Sequence, residues 1–369
     1  MSASTSKLVR QWVAMPGGSC DLRVGSDAIE AMGTILKGSV GRPRTCALVK
    51  AEDASEEIVE RVRRQLTDAG FLVQPVSLPA EGLRTLGGVE LLSSALSDAH
   101  VTADDLVCAV GSADLLSTCS FVCSSWCSGT PLAHVPLDLQ TSIEVTTTPL
   151  GIDVGGSPQM FASKLSAKYA ICDLSAMDVS PDTTEAVYSR ALMATAALCD
   201  SEKAVERLWD RAELLVDGDI ETLQEQIADT AKSRGHIISS TSIAMRQSVS
   251  FGQTFMRALS TLVGEEVPKG LLLAEGVRFQ SRIAAATEIL PVEEVLMMDE
   301  LLDLLGLEPV SCEVDADAMV AALKEECFLR SNRFMLCLPR GAGRIRPASV
   351  DEEVLREHAE AWCASRAQL

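Results

Sequence analysis

The texture of the apolar residues changes near residue 180, and that change constrains the fold of this 369-residue chain more than any other feature. Ahead of it, short apolar runs of strand length alternate with stretches of helical spacing. Thr45-Cys-Ala-Leu-Val-Lys50, Phe71-Leu-Val-Gln-Pro-Val76 and Asp105-Leu-Val-Cys-Ala-Val110 read as strands, the last ending at Gly111. Between them, 54–69 places Ile58, Val62 and Leu66 at helical intervals, and Val89 to Leu96 reads as a helix. Such alternation predicts a parallel α/β sheet. Residues 1–18 read as a loose start. Beyond residue 180, helical stretches at 184–200, 202–215, 219–235, 252–263, 269–288, 293–305 and 315–327 predominate. The boundary falls at Asp178-Val-Ser-Pro181, which predicts an α/β domain over 1–180 and an α-helical domain over 181–369.

Composition removes several partners. A formal net charge of −20 repels nucleic acid and anionic membrane alike, so neither is expected. A phosphorylated ligand remains compatible with it, provided a local cluster of cations exists. No apolar window of about eighteen residues is present, so no membrane span is expected. The start, Met1-Ser-Ala-Ser-Thr-Ser-Lys7, lacks the apolar stretch of a secretory leader. The 12 cysteines then read as thiols in a reducing cytoplasm, and none forms a Cys-x-x-Cys pair. Cys119, Cys123 and Cys127 are spaced by four, which places them along one helix face, packed as small hydrophobes. His100, His134, His236 and His358 lie far apart in sequence and read as surface or hydrogen-bonded residues rather than as a site.

Glycines punctuate one stretch of the second half: Arg246-Gln-Ser-Val-Ser-Phe-Gly252-Gln-Thr-Phe-Met-Arg257-Ala-Leu-Ser260, then Gly264-Glu-Glu-Val-Pro-Lys-Gly270. This resembles the metal-binding core of 3-dehydroquinate synthase and related sugar-phosphate cyclases. There the segment reads Arg-x-x-Leu-Asn-φ-Gly-His-Thr-φ-Gly-His-Ala-φ-Glu, followed by His-Gly-Glu-x-Val-x-x-Gly. Arg246, Gly252, Thr254, Ala258, Gly264, Glu265, Val267 and Gly270 fall in step. Gln253 stands where the first zinc histidine belongs, Arg257 where the catalytic histidine belongs, and Val263 where the last metal histidine belongs. A second stretch, Val107 to Pro149, follows the same family. It carries Gly111-Ser-Ala-Asp-Leu-Leu-Ser117 in place of Gly-Gly-Gly-x-x-x-Asp, and Val135-Pro136-Leu-Asp138 further on.

The resemblance implies a dehydroquinate synthase-like fold: an N-terminal Rossmann-like parallel-sheet domain followed by a C-terminal helical domain. It also implies a reaction that uses NAD and zinc to eliminate phosphate from a sugar phosphate in the shikimate pathway. The family's positions are mostly emptied here. Its metal glutamate falls on Ala191 and the lysine after it on Ala194, with Glu185 six residues, nearly two turns, upstream as a poor substitute. The lysine of Gly-Gly-Lys falls on Leu150, the following Lys-Asn on Pro158-Gln159, and the substrate asparagine on Ser250. The C-terminal lysine pair has only Lys324 near it. Arg246 and Glu144 remain as candidate substrate contacts.

At the nucleotide end, a glycine turn serves a dinucleotide because bare backbone approaches the pyrophosphate at a helix N-terminus. Gly111 is kept, but Ser112 and Ala113 bring β-carbons, and Asp138 puts a carboxylate where the family has a hydroxyl. Glu81 with Arg84 echoes a Glu-x-x-Lys near the cofactor. This turn reads as an ordinary strand-to-helix connection, with weakened NAD binding as the alternative.

Zinc is not expected, because alanine and valine have no donor atom and neutral glutamine is a poor ligand. The chain therefore reads as a non-catalytic relative with a structural or regulatory role, paired as a homodimer or with an active paralogue. Two alternatives stand beside it. One is new chemistry in the same interdomain cleft, built on Arg246, Arg257, Lys269 and Glu144. The other is a divergent 3-dehydroquinate synthase.

Overall fold

The computed structural model describes residues 8–38, 44–162 and 166–369. Their backbone contacts group into two compact units. The first runs up to Val179 and adds Ile227–Gly235; the second holds Ser180–Gln226 and His236–Leu369.

The first unit is built in chain order from β1 (Val9–Met15), β2 (Gly18–Gly25), α1 (Ala28–Lys37), β3 (Thr45–Ala51), α2 (Glu56–Asp68), β4 (Leu72–Leu78), α3 (Leu86–Asp98), β5 (Leu106–Gly111), α4 (Ala113–Cys123), β6 (Leu132–Pro136), α5 (Leu139–Thr147), the hairpin β7 (Ile152–Val154) and β8 (Ser157–Phe161), and β9 (Tyr169–Asp173). Seven strands form one sheet in the order β1-β2-β9-β6-β5-β3-β4. All its pairings are parallel except β1 with β2. β5 lies in the interior of the sheet and is buried along its whole length, as an apolar run covered by helices on both faces must be. Successive residues of β3 point to opposite faces. Cys46 and Leu48 join a core with Ile29, Met32, Val62 and Leu66 of α1 and α2. Ala47 and Val49 join another with Leu92, Leu96, Leu115 and Cys119 of α3 and α4. Each fully buried leucine or isoleucine there contributes about 1.5–3 kcal/mol.

Two expectations are corrected. Residues 1–7 lie outside the described residues, but Val9–Met15 is no loose start: it is the antiparallel edge strand, turned into β2 at Gly17 with φ 82°. Its alternation of Val13 and Met15 with exposed Trp12 and Ala14 is the strand signal, present in the sequence but short. The three cysteines also do not share one helix. α4 ends at Cys123, the amide of Thr130 donates to the carbonyl of Cys123, and Cys127 is exposed in a separate turn with φ 49°.

The second unit comprises α6 (Thr184–Asp200), α7 (Glu202–Val216), most of α8 (Ile220–Ser239), α9 (Ile243–Gln247), α10 (Gln253–Val263), α11 (Lys269–Ala286), α12 (Val292–Leu304), α13 (Ala316–Phe328), the hairpin β10 (Met335–Pro339) and β11 (Ile345–Ser349), and α14 (Glu352–Arg366). Thr183, Ser201, Asp219, Ser242 and Asp315 cap helix starts by accepting from an amide three residues on. α11 is the buried centre, packed against α6, α10, α12 and α14. Among the described residues no helix is long and apolar enough to cross a membrane.

Candidate functional site

In the first unit the chain leaves β3 for β4 on one side and returns to β5 on the other, so the strand order reverses at β3. In open α/β sheets ligands bind beyond the carboxyl ends of the strands at such a reversal. Gly111 ends β5 there, and α4 starts at once. Ser112 holds the N-cap position, exposed and extended, and its side chain makes no capping hydrogen bond. Gly111 is not an empty cradle: a β-carbon on it would fall 2.8 Å from Cδ2 of Leu115. Asp138 proves to have a structural role. Its carboxylate caps α5, accepting from the Thr141 amide at 2.7 Å and the Thr141 hydroxyl at 2.6 Å.

Glu81 is exposed in the loop after β4, whereas Arg84 turns inward. Its Nε lies 2.7 Å from Oδ1 of Asp114, and its Nη1 is 3.2 Å from the carbonyl of Gly151 and 3.4 Å from Oδ1 of Asp153. Asp114 and Asp153 are the residues sequence reasoning missed; the available signal was an acid in the first turn of the helix after the glycine. Glu144 is 8% exposed on α5 and accepts from Nε2 of Gln140 at 3.1 Å. The Leu150 amide donates to Ser117 Oγ at 2.9 Å. Pro158 and Gln159 lie on β8, and the Gln159 amide donates to Asp153.

In the second unit, Gly252 opens α10 with φ 78°, a conformation that favours glycine. A β-carbon at Gly276 of α11 would stand 2.2 Å from the Gly252 carbonyl oxygen. Gly270 meets the backbone of Val187 and Tyr188 on α6 just as closely, at 2.6 Å, whereas Gly264 faces open space. Gly252, Gly270 and Gly276 are therefore required by helix packing, and Gly264 is not. Gln253 is the first residue of α10 and 8% exposed. Arg257, one turn on, lies 3.1 Å from Oε1 of Glu326. Val263 ends the same helix, about 15 Å from Gln253 along its axis at ~1.5 Å per residue. Those two positions are not brought together.

Ala191 and Ala194 are buried inside α6, and Glu185 is exposed, accepting from the hydroxyl of Thr184. Arg246 donates to the carbonyls of Ser240 at 2.7 Å and Thr241 at 3.3 Å. Ser250 donates to Gln247 and stands 3.5 Å from the Sγ of Cys337, a thiol whose pKa burial raises. Lys269 is exposed at the start of α11, and Lys324 pairs with Glu352.

Of the histidines, His134 is buried on β6. Burial lowers its pKa to about 3, and its Nε2 is 3.2 Å from Ser120 Oγ. His236 Nδ1 lies 2.6 Å from Asp200 Oδ1, a pairing with no signal in the sequence. Among the described residues no group of three His, Cys, Asp or Glu is placed to hold a metal ion. The donor set at the family's positions does not fit zinc.

No protein-family model matches the chain. It is 20% identical over 346 residues to a 3-dehydroquinate synthase of Dehalococcoides mccartyi, covering 93% of this chain and 95% of that one. With a 3-dehydroquinate synthase of a Geobacter species it shares 22% identity over 340 residues, 90% and 93% of the two chains. Its fold is similar to a 2-deoxy-scyllo-inosose synthase solved with carbaglucose-6-phosphate, NAD+ and Co2+, with TM-score 0.82 and 13% identity over 96% of this chain and 100% of that one. It is also similar to a 2-epi-5-epi-valiolone synthase of Streptomyces hygroscopicus solved with NAD+ and Zn2+, with TM-score 0.76 and 16% identity over 100% and 99%. The chain is thus similar in sequence, across nine tenths of its length, to 3-dehydroquinate synthases, and it has the fold of the dehydroquinate synthase-like sugar-phosphate cyclases.

Proposed function

We propose that this chain is a non-catalytic member of its family, kept for a structural or regulatory role. The observation that carries the reading is the donor set. α6 presents Ala191 and Ala194, α10 presents Gln253, and the last position presents Val263. The packing glycines favour a second placement of that last position. The family's glycine pair, six residues apart, is met by Gly264 and Gly270 and again by Gly270 and Gly276. Only in the second pair is each glycine required by a close backbone approach. That placement assigns Lys269 to the last metal histidine. An ammonium repels a divalent cation, so it supports the reading more strongly than valine does.

The cations of the site serve the chain itself. Arg257 faces Glu326, and Arg246 holds two carbonyls of its own chain. A phosphate dianion would have to compete with these partners in a protein of net charge −20. The test is phosphate release from 3-deoxy-arabino-heptulosonate 7-phosphate, with NAD+ and added zinc. We expect no release above background. Turnover would restore the divergent-synthase reading.

A further inference from the structure

We infer that the Arg84–Asp114 ion pair is an internal closure of the dinucleotide end of the first unit: the chain's own carboxylate takes the place that a phosphate would take at the start of α4. The inference rests on the proposed non-catalytic reading and on the turn after β5 being an ordinary strand-to-helix connection, and it names the residues that would weaken NAD+ binding there.

The first turn of α4 points unpaired amides and the positive end of its peptide dipoles outward, because Ser112 supplies no side-chain cap. An anion is favoured there, and Asp114 supplies it from within the helix. Its charge is held by Arg84, 2.7 Å away. Arg84 is itself anchored. Its Nη1 reaches the Gly151 carbonyl and Asp153, and the Asp153 amide donates back to the Arg84 carbonyl at 2.6 Å. The Gln159 amide then donates to Asp153 at 2.7 Å, so β8 backs the same cluster. Three segments, the loop after β4, the start of α4 and the β7–β8 hairpin, are thus tied at one arginine. This is the carboxyl end of the sheet, beside the reversal at β3. A pyrophosphate brought to α4 would meet the Asp114 carboxylate. Arg84 is already committed to two acids.

The test is calorimetric titration of the full chain with NAD+ and, separately, ADP, in the wild type and in Asp114→Asn and Arg84→Ala. Asp114→Asn keeps the shape and removes the charge, and we expect it to tighten ADP binding by about tenfold or more. Arg84→Ala leaves the carboxylate and removes its counter-charge, so it should bind no tighter than wild type. An Asp114→Asn variant with an unchanged urea midpoint and wild-type affinity overturns the inference. So does an Arg84→Ala variant that tightens as much as Asp114→Asn, because bulk rather than charge would then be the obstacle. The ratio of variant to wild type decides the inference, whereas micromolar NAD+ affinity in the wild type would sink the reading beneath it.

Discussion

Glu275 shows what a single residue does in this fold. Its carboxylate is fully buried on α11 and accepts from Arg366 twice at 2.9 Å, from Trp362 Nε1 at 2.7 Å and from the Val310 amide at 3.0 Å. It holds α14 to the centre of the second unit. Glu275→Leu strands a buried guanidinium, and we expect a loss of about 3–5 kcal/mol in urea unfolding, with the loss concentrated in the unit that holds α11. A change below about 1 kcal/mol would contradict this. His134 gives a pH-dependent counterpart. Its pKa is near 3 folded against 6.5 unfolded, so the unfolded chain takes up the proton first. Its contribution is complete above pH 6.5 and falls away as the pH drops toward 3, by roughly 1 kcal/mol per unit. His134→Leu should flatten the stability profile between pH 6.5 and 5, and an unchanged slope would show that another group titrates there. Little of this was legible in the sequence. Glu275 and Asp114 look like ordinary helix acids, and only their partners, contributed by distant segments, give them roles.

Among the elements, strands and helices with strong periodicity could be read directly. Thr45–Ala51 and Leu106–Gly111 are apolar because both faces of the sheet are covered, and α2 shows its buried stripe. What escaped were elements decided by pairing: β1, which needs β2 beside it, and the end of α4 before Cys127. At the candidate site the glycines were legible and their reason was not. Gly252, Gly270 and Gly276 serve packing and Gly264 does not, and a direct comparison separates the two kinds. Gly276→Ala drives a β-carbon to 2.2 Å from the Gly252 carbonyl oxygen, whereas Gly264→Ala meets only the strain of φ 73° in open space. We expect Gly276→Ala to cost about 3 kcal/mol or more and Gly264→Ala about 1 kcal/mol in urea unfolding. Equal costs would remove the packing reason for preferring Gly270 and Gly276, and with it the placement of Lys269.

At the scale of the whole molecule, the protein has the two-part architecture of the cyclases it resembles in fold, and on the proposed reading its own side chains replace their polar positions. Such a scaffold is most simply retained for its contacts. We predict self-association, or association with a catalytically intact relative. Light scattering at micromolar concentration should give a mass near twice 39.3 kDa, and a clean monomer mass would count against pairing with itself. The central claim, that the ancestral metal chemistry has been lost, is tested most directly by the metal itself. Protein purified without chelator, incubated with excess zinc and then desalted should carry far less than one zinc per chain by plasma mass spectrometry. One tightly held zinc per chain, lost on replacing Gln253 by alanine, would contradict the account.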